Sequence, residues 1–221
     1  MPSYKAPLRD MRFLMNEVFD YAGHYTKLSN GANADAETVE MLLETIAQFC
    51  ENELSPLYQT GDDEGCQFDN GNVTTPSGFK DAYDNYCALG MQGLSYPEQY
   101  GGQGLPMSLN LIKSEMMATA NWAFTMYPGL SIGCMNTILQ FGSEAQKDTY
   151  MPPLVEGRWA GTMCLTEPQC GTDLGQCKTR VEPAGDGTFK MYGTKIFISS
   201  GEHDLAENII HLVLARLPDA P

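Results

Sequence analysis

The stretch "WAGTMCLTEPQCGTDLG", residues 159 to 175, decides how this chain divides. Its first eight residues form a short β-type run, and Pro168 then breaks that run into a turn. Two cysteines, two acids, a proline, a glycine and two threonines lie within twelve positions from Met163 to Leu174. Four readings of the turn follow: a metal site, a redox pair, a nucleophile, or backbone shaped to hold a cofactor's chemistry.

The two sides of the stretch differ in texture. Residues 8 to 157 read mainly as helices. From Asp35, an N-cap, Val39, Leu42, Leu43, Ile46, Cys50 and Leu54 recur at helical spacing until Pro56 stops the pattern. Residues 57 to 76 are polar and rich in Gly, Asn and Asp, and read as a loop. Ser77 is expected to cap a second helix that Gly90 ends. A third helix is expected from about Ser108 to Phe124 and a fourth from Leu130 to Phe141. "SEAQ" at 143 to 146 has the form of a capping box. Downstream, "CKTRVEP" and "TFKMYGTKIFIS" read as paired strands around the turn "AGDG", and "NIIHLVLAR" at 208 to 216 as a further strand.

The expected fold class is therefore α+β. An N-terminal all-helical domain, residues 1–157, precedes residues 158–221, the first part of a β-barrel or sheet domain. A sheet of that size leaves exposed edges and a thin core, which reads as the front part of a longer protein.

Composition narrows the function classes. Thirteen basic against 28 acidic residues give a formal charge of −15. Such a surface repels nucleic acid and anionic lipid, because phosphate binding needs Lys and Arg to displace counterions. No apolar run long enough to span a membrane is present, and "MPSYKAPLRDMRF" lacks the apolar stretch of a signal peptide, so the expected location is cytoplasmic. Seven cysteines, an odd number with no CxxC, read as reduced thiols rather than as a disulfide framework.

The readings of the turn can now be weighed. Zinc knuckles use close cysteine couples, and Cys170 and Cys177 with His203 do not have that spacing. A nucleophilic cysteine needs a base, and only His24, His203 and His211 exist to serve. No Walker loop, dinucleotide GxGxxG or HExxH helix is present. Two readings remain: a plain structural turn, or a turn whose free amides and hydroxyl anchor an anionic or heterocyclic cofactor.

Taken in order, "YPEQYGGQG" (96 to 104), "LTEPQCGTDLG" (165 to 175) and "GTKIFISSGEHD" (193 to 204) resemble the acyl-CoA dehydrogenase family. The opening "MRFLMNEVFDY" and the closing "NIIHLVLARLPDAP" look most like its long branch, which includes 3-methylmercaptopropionyl-CoA and bacterial fatty-acid enzymes. The resemblance spans nearly the whole chain. It implies a helical N-terminal domain, a β-barrel middle domain and, beyond residue 221, a C-terminal helical bundle.

The same resemblance implies FAD as cofactor, an acyl-CoA thioester as substrate, an electron-transfer flavoprotein as acceptor, and a homo-oligomer. It implies residue roles too. Backbone groups at Met163 and Leu165, with the Thr166 hydroxyl, would bind the flavin's pyrimidine edge. Gly171 and Thr172 would face the pyrophosphate, and Thr172 also the pantetheine arm of the substrate. Phe197 stands where members usually carry tryptophan against the flavin ring, and Ser199 where they carry a threonine near N5. Many members have Ala-Gly-Ser where this chain has Cys170-Gly171-Thr172; a hydroxyl is kept. The family's base is a glutamate of the C-terminal bundle, so no catalytic base is assigned within these residues. Glu167, ahead of a proline, reads as a turn or salt-bridge residue. Two alternatives compete: a flavin-binding member with other chemistry, of oxidase or alkylation-response type, and a helical interaction module with no cofactor.

Overall fold

Asp35 opens the first long helix because its carboxylate accepts the Thr38 amide at 2.8 Å while its own backbone stays extended. In the computed structural model, which describes residues 4–220, this helix (α3, Ala36–Phe49) is the third α-helix. Two short helices precede it, α1 (Leu8–Phe13), continued in π form by Leu14–Val18, and α2 (Tyr21–Tyr25). A second π turn, Cys50–Leu54, extends α3.

Residues 57 to 76 are not a loop. They form α4 (Leu57–Glu64) and an antiparallel hairpin of β1 (Gln67–Asp69) and β2 (Asn72–Thr74). The polar composition misleads because neither element buries much: α4 has no fully buried residue. The next helix, α5 (Phe79–Ala88), starts after Gly78, and the Ser77 side chain does not cap it. The Ser77 amide instead donates to Glu64 at 2.7 Å.

The expected third and fourth helices are α6 (Met107–Ala120) and α7 (Trp122–Phe141), divided at Asn121 rather than between 124 and 130. Asn121 is extended, accepts the Phe124 amide at 3.0 Å and donates to the Leu54 carbonyl at 3.1 Å. Pro128 lies inside α7 without ending it. The capping box forms at the head of α8 (Glu144–Val155), with Ser143 and Gln146 each accepting the other's amide.

Phe49, Phe79, Tyr83, Tyr86 and Phe124 make the aromatic centre of the helical core, with ring centroids 5.8–6.4 Å apart. Full burial of each such side chain contributes roughly 1.5–3 kcal/mol. A second cluster, including Cys134, Met135, Ile138, Met151 and Leu154, seats Trp159, Ile210 and Leu212 of the sheet.

Gly157, at φ +77, makes the corner between helix and sheet, and the Tyr83 hydroxyl donates to its carbonyl at 2.9 Å. Beyond it β3 (Trp159–Cys164) pairs in parallel with β6 (Asn208–Val213), Trp159 opposite Asn208 and Cys164 opposite Val213. Gly161 lets β3 close on α7: a Cβ there would lie 2.4 Å from Cys134 Cβ. The hairpin of β4 (Arg180–Pro183) and β5 (Phe189–Tyr192) forms around the expected turn. Residues 193–200, expected to prolong its second strand, are irregular. Gly193 approaches Thr179, and Phe197 and Ser200 have left-handed backbone, which no strand accommodates. No helix among the described residues is long and apolar enough to cross a membrane.

Candidate functional site

The open edge of β3 is the starting point. Successive residues of a parallel strand turn their amides and carbonyls to alternate sides. Cys164 turns toward β6, since its carbonyl accepts the Leu214 amide at 3.1 Å. Gly161, Met163 and Leu165 therefore face the other way, and Gly161 confirms the phase by donating to Ser131 Oγ at 2.9 Å. Among the described residues no strand covers that second edge. Met163, whose backbone faces that edge, is 43% exposed.

After Cys164 the chain turns. Glu167 and Cys170 exchange backbone bonds of 2.8 and 3.1 Å around Pro168 and Gln169. Residues 195 and 196 then lie against residues 165 and 166: the Ile196 amide donates to the Thr166 carbonyl at 2.9 Å, and Lys195 Nζ to the Leu165 carbonyl at 3.0 Å. The Leu165 carbonyl is thus taken. The Leu165 and Thr166 N–H groups, on half-buried residues, have no hydrogen-bond partner among the described residues. Strong donors of this kind normally find partners.

The remaining expected residues lie on the same two segments. Gly171 holds its empty Cβ position 3.4 Å from Thr166 Cγ2, so the glycine and the threonine side chain border one space. Thr172 is exposed. Phe197 is 88% exposed on a left-handed backbone (φ +57), an arrangement unfavourable for a bulky side chain both in strain and in hydration. Ser199 is exposed two residues on. An uncovered aromatic face, free amides, an unpaired strand edge and a hydroxyl suit a flat heteroaromatic ligand with hydrogen-bonding edges. The residues fit a flavin.

Beneath the turn lies a charged cluster that sequence reading saw only in part. Glu167 is buried and accepts from the Cys177 thiol at 2.9 Å, Lys195 Nζ at 2.8 Å, and the Lys178 and Thr179 amides at 2.7 and 3.0 Å. The thiol, then Lys195 and the Thr179 and Lys178 bonds, hold its pKa well below the usual carboxylate range. Burial opposes the charge on Lys195, but Glu167 and Cys177 outweigh it and its pKa is raised. Glu167 is therefore the salt-bridge residue expected. Lys195 was missed, and Cys177 was weighed only as a metal ligand; the only signal for the lysine was its place two residues before Phe197. No group of metal-ligating side chains forms among the described residues, and all seven cysteines are free thiols.

Residues 36–158 match the model of the acyl-CoA dehydrogenase N-terminal domain. The chain belongs to the acyl-CoA dehydrogenase family. It is 42% identical over 219 residues to the 3-methylmercaptopropionyl-CoA dehydrogenase of Ruegeria pomeroyi, covering 99% of this chain and 37% of that protein. The chain thus spans little more than a third of that relative's length. Among solved structures, butyryl-CoA dehydrogenase from Megasphaera elsdenii aligns with TM-score 0.67 and 31% identity, over 80% of this chain and 43% of that one. An acyl-CoA dehydrogenase from Bacillus anthracis, complexed with FAD, aligns with TM-score 0.67 and 26% identity, over 83% of this chain and 29% of that one.

Proposed function

We propose that this chain is the N-terminal part of an FAD-dependent acyl-CoA dehydrogenase that introduces an α,β double bond into an acyl-CoA thioester of fatty-acid or 3-methylmercaptopropionyl type. Residues 1–157 are its helical domain and 158–221 the start of its middle β domain. The observation that carries the reading is the conjunction at the turn: a β3 edge at Met163 and Leu165 and Thr166 amides that nothing among the described residues covers or pairs, and the bare ring of Phe197. The protein is proposed to act in the cytoplasm as a homo-oligomer, passing electrons to an electron-transfer flavoprotein.

Bound flavin supplies the acceptor for the hydride leaving the β-carbon. The chain's own residues hold and shield. Met163, Leu165 and Thr166 would hydrogen-bond the pyrimidine edge, and Phe197 would cover the ring and exclude water. Gly171 and Thr172 would receive the pyrophosphate, Thr172 would also meet the pantetheine arm, and Ser199 would supply the hydroxyl near N5. Removal of the α-proton needs a carboxylate that is free to accept it. Glu167 does not qualify, since its oxygens are filled and its basicity suppressed. The base is assigned to sequence outside residues 1–221.

Thr166→Val tests the cofactor assignment. Losing one hydrogen bond is expected to weaken FAD retention by about 0.5–1.5 kcal/mol. The measurement is FAD titration by fluorescence quenching on full-length protein. An unaltered affinity and flavin spectrum in Thr166→Val would remove that residue from the site, and a full-length protein that cannot take up FAD would end the reading.

A further inference from the structure

Lys195, on the segment that carries Phe197, reaches across to the turn at residues 165–167. Its Nζ donates to the Leu165 carbonyl at 3.0 Å and to Glu167 Oε1 at 2.8 Å, and lies 3.5 Å from Cys177 Sγ. It sits beside Ile196, whose amide ties the second segment to Thr166, and two residues before Phe197. Both partners of the ion pair are almost out of water, with side chains 10% and 3% exposed. The pair is therefore weakly screened and geometrically fixed.

Its position has an electronic consequence. The peptide that carries the Leu165 carbonyl also carries the Thr166 N–H, a donor with no partner among the described residues. A full positive charge bonded to one end of an amide polarises the other, and in a dry site such chains strengthen one another. A sharpened donor holds a developing negative charge better than a neutral carbonyl. Reduced flavin carries more negative charge on its pyrimidine ring than oxidised flavin does. Lys195 thus favours the reduced form, while the anionic Glu167 moderates its charge and anchors it through the Lys178 and Thr179 amides.

Resting on the flavin reading above, we propose that Lys195 and Glu167 are paired positioning residues that fix the turn at residues 165–167 against the segment carrying Phe197 and set the flavin's reduction potential with opposite signs. Neither touches the reacting atoms. A pair that served stability alone would act differently: breaking it from either side would loosen the seat and shift the potential in the same direction, or leave it unmoved.

The test uses full-length holoprotein and two separate variants, Lys195→Gln and Glu167→Gln, each keeping a hydrogen-bonding side chain while removing one charge. The readouts are the flavin midpoint potential by dye-equilibrated titration and the FAD dissociation constant. Lys195→Gln is expected to lower the potential, with the ratio of reduced- to oxidised-flavin binding falling about tenfold, or about 30 mV for a two-electron couple. Glu167→Gln is expected to raise it. Both are expected to weaken FAD binding. Shifts of the same sign, or a wild-type potential in either variant, overturn the proposal. Only flavin-loaded protein reports, so partial misfolding does not enter the reading; should Lys195→Gln or Glu167→Gln yield none, Lys195→Met or Glu167→Leu takes its place and the two signs are compared as before. Wild-type protein that binds no FAD refutes the flavin reading itself, whereas wild type that binds it with indifferent variants refutes this pairing alone.

Discussion

A lysine ammonium sits inside the helical core. Lys113 of α6 is 1% exposed, and its Nζ donates to the Met91 carbonyl at 2.7 Å and the Tyr86 hydroxyl at 3.1 Å. Among the described residues no carboxylate partners it; the Tyr86 ring face, 5.3 Å away, and these two oxygens do. Burial pushes its pKa from 10.5 down to about 7. Between those values the unfolded chain keeps a proton that the folded chain has released, so stability rises with pH across that window. Buried thiols act in the opposite sense. Burial raises Cys50 to about 12 and Cys87 and Cys134 to about 11, from 9.0, so their contribution is complete below 9.0 and fades as pH rises toward the folded values. The expected profile of melting temperature climbs from neutral pH toward about 9 and falls beyond it. Lys113→Met should flatten the climbing limb and spare the falling one. Differential scanning fluorimetry across that range checks it, and a climb of unchanged slope in the variant would show that the lysine does not titrate there.

At the scale of elements, the joint between α6 and α7 concentrates several bonds on one residue. Asn121 caps α7 through the Phe124 amide and ties the helix pair to the end of the α3 extension through the Leu54 carbonyl. It is buried, so its removal leaves both groups without a partner or a water. Asn121→Ala is expected to destabilise the protein by about 1–3 kcal/mol, the sum of a lost cap and a stranded carbonyl. Urea unfolding monitored by far-UV circular dichroism measures this, and a loss near zero would mean that the joint is held by packing alone. The same joint shows what was legible in the sequence. Asp35, the "SEAQ" box and the strands at 159 and 208 were readable because cap chemistry and apolar runs are local signals. The α6–α7 division was misplaced because Pro128 is a louder local signal than Asn121, whose two partners include one 67 residues away. At the site, the turn at Pro168 and the salt-bridge role of Glu167 were readable. Its partner Lys195 was not, since nothing local marks a pairing across 28 residues.

For the whole molecule, the question is what the 221-residue chain does by itself. The largest fully buried side chains, among them Tyr83, Tyr86, Tyr96, Phe49 and Phe124, all belong to its helical part. By contrast β5 has no buried residue, Phe189, Met191 and Tyr192 stand half-exposed, and the second edge of β3 is uncovered. Relatives such as the Ruegeria pomeroyi enzyme are nearly three times as long. A cofactor seated on this face meets protein on one side only. It loses the enclosure that excludes water and fixes the reacting atoms within reach. The general base is proposed to lie elsewhere as well: among the described residues Glu167 is locked in its ion pair, and Glu115 is exposed on α6. Absence of a base alone lowers rates by about 10²–10⁴-fold. The isolated chain is therefore expected to show strong amide-exchange protection in α3, α5, α6 and α7, little in β5 and residues 193–200, weak FAD binding, and no acyl-CoA oxidation. Hydrogen exchange by mass spectrometry maps the first, and a dye-linked assay over several acyl-CoA chain lengths, run beside full-length protein, tests the last. Turnover by the isolated chain at a rate comparable to the full-length protein would place the base within residues 1–221, and Glu115→Gln and Glu167→Gln would then identify it.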